Sequence, residues 1–263
     1  MIALFATAGL LLSGPSCAAP PGSEALWTPE ARYVIIGEIH GTTETPAAFA
    51  GLVCEASTRG PVTVALELPM SLQPEFEAFL AAPDDVSGEA ILRRTAYWNP
   101  RHQDGRSSAA MVEMMQSLRR LRVAGRDIAL RAFLSDQGRP AGFDQNYHEL
   151  EMATEIARAA RARPEARVLV LVGNVHASKT RIDMWDLLPA AAHLPRAEVI
   201  ALDVAQQGGQ SWSCRTDVCG IDDIISVYDP AERGVTLGPI DDGAYDGVLA
   251  VGPVTASPPA AGD

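Results

Sequence analysis

The chain lacks the positive charge that a nucleic-acid-binding surface requires. Its 263 residues contain 21 Lys and Arg against 33 Asp and Glu, which gives a formal net charge of −12. A surface that binds phosphates needs clustered basic side chains. The nearest such group, Arg119, Arg120 and Arg122, has the spacing of the solvated face of a helix. We therefore expect no nucleic acid among the partners.

Several common catalytic motifs are also missing. The sequence has no nucleophile elbow G-x-S-x-G, no P-loop, no G-x-G-x-x-G after its first apolar run and no H-E-x-x-H. The segment from Gly209 to Ser213 comes closest to the elbow but lacks its final glycine. The sequence therefore gives no support to a serine hydrolase, a nucleotide-binding protein or a thermolysin-like protease.

The apolar run at the N-terminus, Ile2–Leu12, is too short to span a bilayer as a helix but suits a signal peptide. We predict a signal peptide over residues 1–19, cleaved after Ala18 or Ala19, and export to the periplasm or cell envelope. Cleavage before Cys17 with lipid attachment is the less favoured alternative, because the preceding residues match a lipoprotein signal poorly. In that case alone the protein would be held at a membrane.

The four cysteines fit an oxidising compartment. Cys214 and Cys219 flank a polar turn, and we predict a disulfide between them. Cys54 lies on the apolar face of a predicted helix, so we interpret it as a buried thiol.

Five short apolar runs predict the central sheet. They are continuous rather than alternating, as in strands that are buried on both faces of a parallel sheet. They cover residues 33–37, 62–68, 128–134, 167–172 and 199–204. Helical patterns separate them, which predicts an α/β fold with a mainly parallel central sheet and helices on both faces. Beyond about residue 207, runs such as Gly234–Leu237 and Val248–Val251 predict C-terminal antiparallel strands.

The domain boundaries follow from composition. We predict a linker over residues 20–26, one α/β domain over residues 27–252, and a Pro/Ala-rich, disordered tail over residues 253–263. His148 and His193 fall in polar or Pro-flanked surroundings, and we interpret both as surface residues.

Polar side chains follow three of the predicted strands. Glu38 and His40 come after the first, Glu67 lies at the end of the second, and Asn174 and His176 come after the fourth. Ligands of open α/β sheets bind at the carboxyl ends of the strands. The neighbouring glycines allow tight turns and a close approach to a ligand. We therefore predict a site at this edge of the sheet.

A polar loop before the second predicted helix, which begins after Ser107, is the second candidate for binding. It contains His102, Asp104 and Arg106, which we predict to contact substrate together with Asn174. Arg106 suits a carboxylate or phosphate clamp. The alternative is a salt bridge from Arg106 to Glu38 or Glu67.

Taken together, these motifs resemble the erythromycin esterase / ChaN / Tiki superfamily. The resemblance rests on GEIHG (37–41), ELP (67–69) and GNVHA (173–177), and it spans about residues 30–205. The loop QDGRSS (103–108) is most similar to the ChaN-like haem-uptake branch. The resemblance implies either hydrolysis, as in the esterases and in the metal-dependent Tiki proteases, or haem binding at the bacterial cell surface.

The same resemblance implies that His40, Glu67 and His176 are catalytic, with Glu38 beside them. The first hypothesis is an exported hydrolase of ester or peptide bonds. His40, Glu67 and His176 would either hold a divalent metal that activates water or work without one. In the metal-free version His40 or Glu67 is the general base, His176 assists, and Arg106 holds the substrate.

The second hypothesis is a non-enzymatic protein of the cell envelope that binds haem or a metal ion. No tyrosine among Tyr33, Tyr97 and Tyr147 aligns as a haem ligand. The third is a scaffold that has kept these residues for folding alone. The partner is accordingly a small-molecule or peptide substrate, or haem.

Overall fold

The computed structural model describes residues 17–98, 104–136, 142–215 and 218–260. In chain order its strands are β1 (Tyr33–Glu38), β2 (Val62–Pro69), β3 (Ile128–Leu134), β4 (Arg167–Gly173), β5 (Val199–Val204), β6 (Gln207–Arg215), β7 (Val218–Ser226), β8 (Gly234–Ile240) and β9 (Tyr245–Ala250). Its helices are α1 (Glu44–Ser57), α2 (Gln73–Leu80), α3 (Asp85–Arg93), α4 (Ala109–Val123), α5 (Gln145–Ala162) and the single turn α6 (Asn174–Ala177).

Seven strands form the central sheet in the order β3-β2-β4-β1-β5-β9-β8. All neighbours are parallel except β8, which runs antiparallel to β9 at one edge. Strands β6 and β7 form a separate antiparallel hairpin. The predicted α/β fold with a mainly parallel sheet and C-terminal antiparallel strands is confirmed.

Helices cover both faces of the sheet, and the side chains of β1 divide between the two cores. Val34 and Ile36 pack in the cluster that contains Phe49 of α1. Ile35, between them, packs in the cluster that contains Met152 of α5. Successive strand residues point to opposite faces, so a strand that is covered on both sides has to be apolar throughout. This explains why the strand sequences are continuous apolar runs.

The hairpin is held against the body by backbone hydrogen bonds along β6. The amide of Trp212 donates to the carbonyl of Gly41 at 2.9 Å, and the amide of Gln210 donates to the carbonyl of Val254 at 2.7 Å. Cys214 and Cys219, which pair across the two strands, form a disulfide near the hairpin tip. The sequence predicted this disulfide.

The N-terminal part of the described chain differs from prediction. Cys54 is not a free thiol but forms a disulfide with Cys17. The predicted linker contains a 3-10 helix, Ser23–Leu26, in which the Leu26 side chain is fully buried. The apolar side chain of Leu26 joins the core on the α1 side of the sheet, and this burial orders the segment.

The C-terminal tail is ordered over residues 253–260, where the sequence predicts disorder. Its carbonyls accept hydrogen bonds from the starts of two helices. The amide of Thr43, the residue before α1, donates to Thr255 at 2.9 Å, and the amide of Ala109 in α4 donates to Pro258 at 2.9 Å. The first amides of a helix have no partner within it, so a tail that supplies carbonyls gains order although its prolines cannot donate.

The three arginines on α4 match the predicted solvated helix face only in part. Arg120 and Arg122 are exposed, but Arg119 is buried. Its guanidinium donates to the carbonyl of Ala82 at 2.9 Å and forms an ion pair with Asp85. In the described ranges, no helix is long and apolar enough to cross a membrane.

Candidate active site

Three adjacent strands deliver the candidate site to one edge of the sheet. Strand β4 lies between β2 and β1, and the register places Glu38 beside Gly173. Glu67 therefore approaches from one neighbour, while His40 approaches from the other. His176 stands on α6, which begins directly after β4. The structure thus brings together the residues that the strand ends predicted.

His40 lies between two carboxylates. Its Nδ1 is 3.0 Å from Oε1 of Glu38, and its Nε2 is 3.4 Å from Oε2 of Glu67. Burial would lower the pKa of His40, but the carboxylates of Glu67 and Glu38 outweigh it and raise the pKa from 6.5 to about 10. An imidazole that faces an acceptor at each nitrogen is best satisfied as the doubly protonated cation.

Glu67 is the centre of a charged network. Its Oε1 accepts from Nη1 of Arg106 at 2.8 Å, and its Oε2 accepts from the amide of Gly173 at 2.8 Å. Burial would raise the pKa of Glu67, but the nearby charges of His40 and Arg106 hold it well below its usual range. Glu67 is therefore an ionised, fully engaged carboxylate.

Arg106 forms a salt bridge to Glu67, which is one of the two roles that the sequence suggests for it. Besides Glu67, its guanidinium contacts Oδ2 of Asp104 at 2.8 Å. Burial would lower the pKa of Arg106, but Glu67, Tyr97 and Asp104 outweigh it and raise the value. Asp104, which was predicted to bind substrate, thus holds in place the arginine two residues after it.

A second imidazole–carboxylate pair lies across the site. Nδ1 of His176 is 2.8 Å from each oxygen of Glu149, whose side chain is fully buried. Glu149 also accepts from Nε2 of Gln145 at 2.6 Å and from the amide of Ala190 at 3.0 Å. Sequence reasoning missed Glu149. Its signal was a carboxylate three residues before Met152, on the apolar face of α5.

Gly173 is required where these side chains meet. A Cβ placed on it would stand 3.1 Å from Nε2 of His40, 3.3 Å from Cδ2 of His176 and 3.5 Å from Oε2 of Glu67. The first two distances are tighter than ordinary contacts, so any larger residue would push the two imidazoles apart. Because Gly173 has no side chain, the imidazole rings of His40 and His176 can both approach this position.

The site opens into a cleft of about 460 Å³. Its walls are formed by His40, Glu67, Asp104, Gly105, Arg106, Leu134, Ser135, His148, His176, Trp212, Ser213 and Cys214. The β6–β7 hairpin supplies the last three of these residues and thus one wall. His148, interpreted from the sequence as a surface residue, is half-buried and lines the cleft.

Neither Asn174 nor His193 contributes in this way. The Asn174 side chain caps its own short helix, since its Oδ1 accepts from the amide of Val175 at 2.9 Å, and it does not line the cleft. The prediction that Asn174 binds substrate gains no support. His102 lies outside the described residues. His193 is half-buried in the segment Ala190–His193 and does not line the cleft either.

The arrangement does not fit a metal ion. Both oxygens of Glu67 are engaged by Arg106 and Gly173, and both nitrogens of His40 face carboxylates. Within the described ranges, no three His, Cys, Asp or Glu side chains are grouped so that they could hold a metal. In a metal site made of such residues, the ion would balance the negative charge of the carboxylates. Here the guanidinium of Arg106 balances that charge instead. We derive no step through a metal.

The arrangement does not fit haem ligation by tyrosine either. Tyr33 begins β1 and so lies at the opposite end of the strand from the cleft. Tyr97 is buried, and Tyr147, which is 61% exposed, borders a separate depression. The imidazoles of His40 and His176 are both held by carboxylates. We derive no step through haem.

Fold and site together define an α/β protein with a His/Glu/Arg cluster at the carboxyl edge of a parallel sheet. Among solved structures, a mutant of the erythromycin esterase EreC in its open conformation is similar, with a TM-score of 0.63 and 12% identity over 86% of this chain and 91% of that one. A succinoglycan biosynthesis protein is similar with a TM-score of 0.64 and 11% identity, over 88% and 90% of the two chains.

ChaN of Campylobacter jejuni, in a structure with cofacially bound haem, matches over 84% of this chain and 87% of its own, with 13% identity and a TM-score of 0.43. That similarity is too low to carry an argument. No family model and no curated protein matches the chain. The likeness to the erythromycin esterase structure confirms the fold that the sequence resemblance implies, and it shows the fold alone.

Proposed function

We propose that the protein is a metal-independent hydrolase of ester or peptide bonds, with esters as the first class to test. The observation that carries the proposal is the Glu149–His176 pair. A fully buried carboxylate holds one face of an imidazole in an accessible cleft, which is the arrangement of a general base and its orienting group.

His176 is the general base of this proposal. Glu149 accepts the proton on Nδ1 and so fixes the tautomer that leaves a lone pair on Nε2. Nε2 takes a proton from a water molecule, and the resulting hydroxide attacks the substrate carbonyl. The ionised Glu149 stabilises the imidazolium that forms.

His40 and Arg106 serve the other half of the reaction. Both are cations beside Glu67, and they stabilise the negative charge that develops on the carbonyl oxygen. When the tetrahedral intermediate collapses, the bond to the alcohol oxygen breaks and His40 donates its Nε2 proton to that oxygen. The proton on His176 then passes through solvent to His40, which restores both imidazoles. In the net reaction, ester and water give acid and alcohol.

Export is part of the same proposal. It is supported by two disulfides in the described chain, Cys17–Cys54 and Cys214–Cys219, and by the lack of a free cysteine there. Because Cys17 is bonded to Cys54, we move the proposed signal cleavage from after Ala18 or Ala19, as the sequence predicts, to before Cys17, and we expect no lipid on its sulfur. Mass spectrometry of the protein recovered from a secreting host would check both points.

The test of hydrolysis is an assay on p-nitrophenyl and alkyl esters and on lactones, with His176→Ala and His40→Ala as variants. His193→Ala is the matched control, because it removes an imidazole away from the cleft. We expect hydrolysis by the parent and the control, insensitivity to EDTA dialysis, and, on alkyl esters, loss of at least about a hundredfold in both cleft variants. Full activity in both cleft variants would refute the proposal, and activity that EDTA abolishes would refute its metal-free form.

A further inference from the structure

A second depression, of about 270 Å³, adjoins the candidate active site. Ser135, directly after β3, lines both the cleft and this depression. The start of α5 also borders both, since His148 lines the cleft while Tyr147 and Leu150 line the depression. Ser135 is therefore the residue at which a ligand held in the cleft comes next to the second space.

The walls of the depression are mainly apolar and aromatic. Met70 and Phe133 line it from the sheet side, and Tyr147 and Leu150 line it from α5. Tyr147 is 61% exposed and Leu150 is 46% exposed. Exposed apolar side chains that stand singly need no explanation, but grouped ones beside a ligand cleft mark binding surfaces. These two leave apolar area that a bound group can cover.

The charges at the depression restrict what it can bind. The charged side chains that line it in the described structure are Glu151 and Glu155, and both are acidic. They repel an anionic group, and the apolar part of the walls offers a cation nothing to replace its hydration, so we take the bound group to be uncharged. A dry apolar cavity of about 150 Å³ accommodates benzene, so a depression of about 270 Å³ has room for a longer alkyl chain or a fused aromatic ring.

We propose that this depression is a substrate subsite for a bulky, uncharged apolar group on one side of the scissile carbonyl, with Tyr147 and Leu150 as specificity-determining residues. The inference rests on the proposed hydrolase function. It predicts that esters of medium-chain acids or of large aryl alcohols are better substrates than acetates of small alcohols.

The kinetic test compares p-nitrophenyl acetate with p-nitrophenyl octanoate, and phenyl acetate with 1-naphthyl acetate. The variants are Leu150→Asn and Tyr147→Ser, and the control is Val123→Asn, which changes a 62%-exposed apolar residue at the end of α4. In at least one pair the parent and the control should prefer the larger ester by about tenfold or more in kcat/KM. In Leu150→Asn and Tyr147→Ser the preference should shrink through KM, with the small ester unaffected.

A binding measurement separates failure of the subsite from failure of the hydrolase. Saturation-transfer NMR would compare octanamide with octanoate on the same proteins. Octanamide should bind the parent and Val123→Asn but not Leu150→Asn, and octanoate should bind the parent more weakly than octanamide because of Glu151 and Glu155. Hydrolysis without any preference for the larger ester overturns the subsite alone. Octanamide binding without hydrolysis of any ester supports the subsite and refutes the hydrolase, whereas equal octanamide binding by all three proteins overturns the subsite.

Discussion

Two imidazoles of the cleft, His40 and His176, are paired with carboxylates, and they differ in the number of carboxylates that face them. His40 has Glu38 at one nitrogen and Glu67 at the other, whereas His176 has Glu149 at Nδ1. An imidazole between two carboxylates is held as a cation, while an imidazole with one orienting carboxylate can keep a lone pair for a proton. The same residue type therefore serves as acid in one place and as base in the other, as a result of its surroundings.

Replacing Glu149 by glutamine is expected to have the largest effect and tests this difference directly. In Glu149→Gln the side-chain amide can donate to Nδ1 and so force the proton of His176 onto Nε2, where it blocks proton abstraction. We expect kcat to fall by about 10³–10⁴-fold. Glu38→Gln should cost only about tenfold, because Glu67 continues to hold His40 protonated.

Steady-state kinetics on one ester measures both losses. Gln145→Ala is the control, because it removes a different hydrogen-bond partner of Glu149 without changing the tautomer of His176. Equal losses in Glu149→Gln and Glu38→Gln would show that the two pairs are not functionally distinct.

His40→Gln tests the role of acid at a smaller scale. Without the Nε2 proton of His40 the alcohol must leave as an alkoxide, so we expect kcat for an ethyl ester to fall by about a hundredfold. A p-nitrophenolate leaves without protonation, so the same variant should lose no more than about tenfold on a p-nitrophenyl ester. Measurement of kcat for both esters gives the ratio. A loss of the same size on both would assign His40 to charge stabilisation alone.

The pH dependence of stability gives an independent measure of the His40 environment. The folded pKa of His40 is raised from 6.5 to about 10, so its contribution is fully present below pH 6.5 and is lost as the pH rises towards 10. We expect the free energy of unfolding to drop over this window by on the order of 2 kcal/mol more in the parent than in His40→Asn. Urea titrations at pH 6, 8 and 10 would show it. Parallel profiles for the two proteins would mean that the Glu38 and Glu67 contacts do not raise this pKa.

Much of this arrangement was predictable because it is local in sequence. Glu38 and His40 both lie at the end of one strand, and the carboxyl ends of parallel strands meet at one edge of the sheet. The apolar runs and the residues that follow them therefore predicted that Glu38, His40, Glu67 and His176 lie together. Glu149 was not found because its partner lies on α6, after the next strand. A helical pattern shows that a carboxylate faces inward, but it does not show which strand end the helix crosses.

The errors at the chain ends have a similar physical origin. Composition predicts disorder for a Pro/Ala-rich tail, yet residues 253–260 supply carbonyls to helix starts that are distant in sequence. Likewise, Cys54 gave the pattern of a buried thiol because Cys17 lies in a segment with the composition of a leader. In both cases the decisive partner is remote along the chain.

Asp203, at the same end of the sheet, is the case of a carboxyl group without an imidazole. Its Oδ1 is buried and has no hydrogen-bond partner in the described structure. Burial, together with the carboxylate of Asp241, raises its pKa from 3.8 to about 7. The folded state therefore retains a proton that the unfolded chain has released, and stability falls as the pH rises from about 4 to 7. The carboxylates of Glu38, Glu67 and Glu149 have cationic or imidazole partners that offset the cost of their burial. Asp203 has no such partner, so its burial as a carboxylate lowers the stability of the folded state.

Replacing it should accordingly stabilise the protein, and this is the smallest effect that we expect. Asp203→Asn should raise the free energy of unfolding by about 1 kcal/mol at pH 8 and change it little at pH 4. Asp246→Asn is the control, because Asp246 is paired with Lys179 and its loss should destabilise at pH 8. Because Asp203 does not line the cleft, kcat should stay at the parent value. Destabilisation at pH 8 by Asp203→Asn would show that the hydrogen bonds of this carboxylate to the Asn174 side chain and the Val204 backbone outweigh the cost of its burial.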